Sequence, residues 1–218
     1  MIGKGYTKLT QQITPNYVLI HGANSNSNIF QPLVERLELP NAHYIDYDAG
    51  DGFVNNHQSM LKHLIECNLD NIVLIGHSLG SIHAFHLAHE LDSVHAGVSI
   101  SAPWAGSKIA RFLKLGLMPC SPLYQIYSDM QHNSSVIKDT LQKPIRHDWL
   151  NIVSTKTIPF NNFILCRESS DNDGILSVES MEARNDVKSH RVHSDHFTIL
   201  NDSRTSSLIR NFILDLNL

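Results

Sequence analysis

Cysteine is scarce in this sequence: three in 218 residues, at Cys67, Cys120 and Cys166, odd in number and far apart. They give neither a disulfide framework nor a zinc spacing such as Cys-x-x-Cys, so free thiols in a reducing compartment are the simpler reading. Long apolar runs are missing too; none approaches the roughly 18 residues that would read as a membrane span. The opening stretch, MIGKGYTKLTQQITPNYVLI, lacks an apolar core followed by a small-residue cleavage site. The expectation is a cytoplasmic protein with no stable membrane span. Charge of one sign is also modest: the formal balance of −4 makes no electrostatic case for nucleic acid or an anionic membrane as partner.

What is present reads as a globular chain. Hydrophobic residues make up 42% and charged residues 17%, an ordinary balance that supports a sizeable core. The length sits at the upper edge of a single domain, and one domain over residues 1–218 is expected. Histidine is abundant, 14 in all, so a histidine by itself marks nothing here.

Short apolar runs alternate with helical patterns, which predicts an α/β fold: a three-layer α/β/α sandwich around a mostly parallel sheet of about six strands. Tyr17–His21 and His43–Tyr47 read as strands, Ile29–Leu37 and Phe53–Cys67 as helices. Asn71–Gly76 is the strongest strand, a continuous apolar run of the kind buried on both faces. A helix follows from Leu79 to about Leu91, then a strand over Ala96–Ser101. Phe160–Cys166 and Asp186–Val192 are further strand candidates, and the tail from Phe197 to about Leu216 looks helical. The stretch from about 103 to 159 breaks the alternation. It reads either as a small helical cap inserted over a pocket or as a helical excursion packed on the sheet edge. Its apolar residues (Phe112, Leu113, Leu115, Leu117, Met118, Leu123 and Tyr124) would line an acyl pocket or form the cap's own core.

Chemistry concentrates at Gly76-His77-Ser78-Leu79-Gly80. This is a G-x-S-x-G turn placed directly between the strongest strand and a helix. A serine on so sharp a turn needs small neighbours two residues away, and the helix behind it aims its N-terminus at developing negative charge. Ser78 is the candidate nucleophile, and the Leu79 amide a candidate oxyanion donor. A second donor is sought at His21-Gly22-Ala23-Asn24, where the first strand ends; the Ala23 amide is the candidate, against a plain strand-to-helix loop. His21 itself reads as a hydrogen-bonded scaffold residue.

Taken together, the order His-Gly, then G-H-S-L-G, then an acid and a histidine resembles the lipase and esterase branch of the α/β-hydrolase fold. Asp171-Asn-Asp-Gly-Ile-Leu176 is similar to the loop carrying the acid in such enzymes, which implies Asp173. His193-Ser-Asp-His-Phe-Thr198 is similar to the loop carrying the base, which implies His196. Ser101-Ala-Pro-Trp-Ala-Gly-Ser107 also matches the branch, except that Trp104 stands where histidine is common. The competing acids are Asp171 and Glu168, and the competing bases His193 and His190; Asp195 reads as a loop cap.

Two smaller features have plainer readings. His83, His86 and His89 recur every three residues without a companion carboxylate or cysteine at ligand spacing, so a polar helix face is expected rather than a metal site. Lys108, Arg111 and Lys114 form a basic stripe that reads as a solvated face or as a contact for an anionic substrate group. No cofactor is expected. The expected activity is hydrolysis of a small-molecule or lipid carboxylic ester through an acyl-enzyme. Thioester hydrolysis or acyl transfer by the same triad, and an idle hydrolase scaffold that only binds, are the alternatives.

Overall fold

A computed structural model describes residues 14–107, 110, 122–157 and 171–216. Its centre is a six-stranded sheet in the order β2-β1-β3-β4-β5-β6, with every neighbouring pair parallel. The strands are β1 (Asn16–Ile20), β2 (Ala42–Ile45), β3 (Ile72–His77), β4 (Val94–Ile100), β5 (Asp148–Ser154) and β6 (Ser189–Val192). Parallel strands need crossovers. These are supplied by α1 (Gln31–Leu37), α2 (Phe53–Cys67), α3 (Leu79–Glu90), α4 (Pro122–Asp129), α5 (Ser135–Gln142) and α6 (Val178–Met181), and α7 (Ser203–Asp215) closes the chain.

The period-two geometry of the strands divides the core. Tyr17 and Leu19 of β1, with Val73 and Ile75 of β3, face one layer together with Leu33, Leu37, Ile209 and Leu216. Val18, Ile20, Ile72 and Leu74 face the opposite layer with Met60, Leu64, Ala84 and Leu87. Because β1 and β3 are buried on both faces, their sequences are continuous apolar runs. Each fully buried Leu or Ile contributes about 1.5–3 kcal/mol relative to exposure.

One expectation about the later chain changes. The stretch 103–159 does not stay outside the sheet, because its end forms β5. The strand is hard to read because Asn151 interrupts its apolar run. That residue is fully buried and takes hydrogen bonds from Ser99 Oγ (2.8 Å) and Trp104 Nε1 (3.1 Å). It also donates to the Met181 carbonyl (2.9 Å) and Ser189 Oγ (2.8 Å), so burial leaves none of its polar atoms wanting. The strand expected at Phe160–Cys166 lies outside the described residues, as do Cys120, Cys166, Glu168, Lys108, Arg111 and Lys114.

The polar face expected for His83, His86 and His89 is corrected for the first two, while His89 is half-buried. Every residue from Leu79 to Ala88 is buried, because α3 is covered on all sides. His83 stacks on Phe53 at 4.2 Å and lies edge-on to Tyr47 at 5.1 Å. Neither of its ring nitrogens has a hydrogen-bond partner. Among the described residues no cluster of three metal-ligating side chains occurs, and no helix is long and apolar enough to cross a membrane.

Candidate active site

In a parallel sheet the chain leaves every strand at the same edge, and polar groups of several loops therefore converge there. Ser78 directly follows β3. It adopts φ 52° and ψ −125°, the strained backbone of a sharp strand-to-helix turn. The turn is held by the Ser78 amide donating to the Ile100 carbonyl (2.9 Å) and the Ser81 amide donating to the Ser78 carbonyl (2.9 Å). Although Ser78 occupies the N-cap position of α3, its hydroxyl makes no capping bond.

The flanking glycines are required by close approach. A Cβ on Gly76 would meet Ser81 Cα at 2.4 Å, and one on Gly80 would meet the Ile20 carbonyl oxygen at 2.0 Å. Both distances are impossible for a side chain, so α3 packs against β1 and β3 only with glycine at these positions. Gly22 plays the same part for the first loop: its Cβ would lie 2.8 Å from Ser78 Cβ. The loop that leads into Ala23 is thereby packed against the nucleophile turn at Gly22, and the Leu79 amide belongs to the first turn of α3, whose N–H groups have no acceptor within the helix.

Asp173 sits in the loop after β5. Asn172-Asp173-Gly174 forms a tight turn in which Gly174 takes φ 95° and donates its amide to Asn172 Oδ1 (3.0 Å). Asp173 is completely buried. Its Oδ1 accepts the amides of Ile175 (2.9 Å) and Leu176 (2.7 Å), and its Oδ2 accepts Nδ1–H of His196 (2.7 Å). Burial alone would raise its pKa, but the charge and hydrogen bond of His196, with further bonds from Ser154 and the Leu176 amide, outweigh burial and hold it below the usual carboxylate range. The backbone of His196 is pinned at both ends. Its amide donates to the Asp173 carbonyl (3.1 Å), and its own carbonyl accepts from His77 Nε2 (2.9 Å).

Ser78, His196 and Ala23 share the wall of a cavity of about 640 Å³. Its lining includes the apolar residues Ile126, Tyr127, Met130 and Ile175 and the exposed Asn24, Asn28 and Asn201. Of the expected apolar lining, Phe112, Leu113, Leu115, Leu117, Met118 and the Leu123 side chain lie outside what is described; Tyr124 is not on the wall, whereas Ile126, Tyr127 and Met130 of the same segment are. No Lys, Arg, Asp or Glu lines the cavity among the described residues. Asp171 and His193 are exposed and His190 half-buried, and all three lie away from it. Asp195 accepts the amides of Phe197 (3.1 Å) and Thr198 (2.9 Å), a loop cap as expected. His21 is buried, accepts the Tyr47 amide (3.2 Å), bonds the Gly22 carbonyl (2.8 Å) and stacks on Tyr47. Trp104 is core. The residues that sequence reasoning misses are His77, Ser101 and Ser154. Their only signal is a polar residue at or just beyond the carboxyl end of a strand.

The fold that carries this site is the α/β-hydrolase fold. The mature form of a Bacillus licheniformis lipase superposes with a TM-score of 0.70 at 18% identity, covering 95% of this chain and 94% of its own. A metagenomic carboxyl esterase gives 0.71 at 15% identity, covering 94% of this chain and 77% of its own. No family model matches the chain. Among curated proteins, a pimeloyl-acyl-carrier protein methyl ester esterase of Pseudoalteromonas atlantica is 42% identical over 84 residues, 34% of this chain and 31% of that protein. The enzyme of the same name from Vibrio vulnificus is 31% identical over 99 residues, 43% of this chain and 39% of that protein. The chain therefore matches these relatives over only 31% to 39% of their own length.

Proposed function

We propose that the chain is a serine esterase acting on uncharged carboxylic esters through an acyl-enzyme. The observation that carries this reading is the shared wall: a serine on a strained elbow faces the same cavity as a histidine bonded through Nδ1 to a buried, ionised aspartate. Ser78 Oγ attacks the ester carbonyl carbon while His196 Nε2 takes its proton, and the new tetrahedral oxygen carries the negative charge. The Ala23 and Leu79 amides receive that oxyanion, each worth roughly 3–4 kcal/mol in a water-excluded site. His196 returns the proton to the departing alcohol, water then attacks the acyl-enzyme by the same acid–base route, and Asp173 keeps the imidazole in the tautomer that this requires.

The absence of Lys, Arg, Asp and Glu among the described lining residues supports an ester without a charged group near the reacting carbon. The apolar lining residues support a hydrocarbon arm, whether of a small molecule or a lipid. The segment between β4 and β5 is read as the cap, because Ala110, Ile126, Tyr127 and Met130 come from it. The relatives named above are methyl ester esterases by name, and methanol, the alcohol such an ester releases, is a small uncharged leaving group. The reading requires no cofactor.

Hydrolysis of p-nitrophenyl esters across acyl lengths, beside the matching thioesters and with Ser78→Ala as control, tests it. Turnover of oxygen esters that vanishes in the variant supports the proposal. Turnover of thioesters alone would replace it with a thioesterase, and turnover that survives the substitution would refute the serine mechanism.

A further inference from the structure

We propose that Ser154, supported by Ser101, is a positioning residue: a two-hydroxyl relay that fixes the Asp173 carboxylate and sets how strongly it holds the proton on His196. The inference rests on the triad reading above. Ser154 ends β5 and Ser101 directly follows β4. The pairing of Ile100 with Ile152 and the bond from the Ser101 amide to the Ile152 carbonyl (2.8 Å) bring both to one edge of the sheet. Both side chains are completely buried.

The direction of every bond follows from donor chemistry. Ser154 Oγ lies 2.5 Å from Asp173 Oδ2 and 2.7 Å from Ser101 Oγ. An ionised carboxylate only accepts, so Ser154 gives its single proton to Asp173 and must accept from Ser101. Met181 Sδ, 3.6 Å from Ser154 Oγ, is too weak an acceptor to compete for that proton. The relay therefore runs from the Ser101 hydroxyl to the Ser154 hydroxyl to Asp173 Oδ2, where His196 Nδ1–H also arrives. With the Ile175 and Leu176 amides on Oδ1, the carboxylate receives four hydrogen bonds and has one rotamer.

A consequence for the reaction follows. Ser154 and His196 share the charge on a single oxygen, so the hydroxyl moderates the pull of Asp173 on the imidazolium. Without the hydroxyl, Asp173 holds that proton more tightly and is free to rotate. The proton then returns less readily to the leaving alcohol. Among the described residues, the ionisable groups facing Asp173 are His196, in contact, and His77, which burial keeps neutral.

The test is the pH dependence of kcat and kcat/KM on a p-nitrophenyl ester for the wild type, Ser154→Ala, Ser154→Thr and Ser101→Ala. In Ser154→Ala the acid limb of the profile should move to higher pH by about half a unit, with kcat about tenfold lower and KM little changed. Ser154→Thr, which keeps the hydroxyl, should restore the wild-type limb. Ser101→Ala should move it the same way by less. A Ser154→Ala profile that superposes on the wild type, or a shift that Ser154→Thr fails to reverse, would overturn the relay. If Ser154→Ala does not fold, Ser101→Ala carries the test alone, since it leaves every bond to Asp173 in place; an unmoved limb there would overturn the relay equally. A Ser78→Ala protein that still hydrolyses the ester would bring down the triad reading and the relay together. An inactive Ser78→Ala with unshifted relay variants removes the relay alone.

Discussion

His77 Nε2 donates to the backbone carbonyl of His196 at 2.9 Å. The middle residue of the G-x-S turn thus holds the loop that carries the base, across 119 positions of sequence. Burial lowers the pKa of His77 to about 3, with the neighbouring His196 contributing, so its ring is neutral and donates from Nε2 alone. Replacing it with leucine leaves a buried carbonyl without a partner, a cost of about 1–3 kcal/mol. The His77→Leu protein should melt several degrees lower and lose esterase activity by one to two orders of magnitude, measured by thermal denaturation and kcat. An unchanged kcat would show that the His196 loop does not depend on this bond.

The glycines at the elbow should respond in two different ways. Gly80→Ala forces a Cβ to within 2.0 Å of the Ile20 carbonyl, backbone against backbone, and should abolish folding. Gly22→Ala meets Ser78 Cβ at 2.8 Å and the His77 carbonyl at 3.3 Å, a lesser clash on a loop. That protein should fold and yet hydrolyse esters poorly, because the loop carrying Ala23, the proposed oxyanion donor, is pushed away from Ser78. Circular dichroism beside kcat separates the two cases.

How much of this was legible in the sequence differs from residue to residue. The elbow was, because a continuous apolar strand, two obligatory glycines and a helix lie next to one another in the chain. The pairing of Asp173 with His196 was legible by resemblance, since each sits in a short motif of recognisable chemistry. Strand β5 was not: Asn151 looks like a break in hydrophobicity, and only partners from four other parts of the chain reveal why it is tolerated. Ser101 and Ser154 were invisible for a related reason. Their meeting depends on the register between β4 and β5, which no local pattern encodes.

The buried histidines predict acid sensitivity. Burial lowers the pKa of His21, His83 and His86 as it does that of His77; Lys143 adds to the effect at His86, which falls to about 3. In the unfolded chain each takes up a proton near pH 6.5. The unfolded state therefore binds more protons below that pH, so stability is complete above it and declines as pH falls toward 3. The slope should reach roughly 1.4 kcal/mol per pH unit for each histidine involved. Loss of Asp173 ionisation acts in the same direction at lower pH. Urea denaturation between pH 7.5 and 4.5 measures the slope; a flat profile would contradict it.

His83 offers a cleaner version of the same test. Its ring is completely buried with both nitrogens unpartnered, so His83→Leu removes a desolvated polar group at nearly constant volume. The variant should be about 1 kcal/mol more stable at neutral pH and gain further as the pH is lowered. Denaturation midpoints at pH 7.5 and 5.0 read both parts. A gap between the two proteins at pH 5.0 no larger than the gap at pH 7.5 would show that His83 does not titrate on unfolding.

Covalent labelling tests the central claim most directly. An alkyl fluorophosphonate ester should add once per chain, on Ser78, with complete loss of esterase activity and no adduct in Ser78→Ala. Incorporation at another residue, or full esterase activity in the labelled protein, would contradict the assignment of Ser78 as nucleophile.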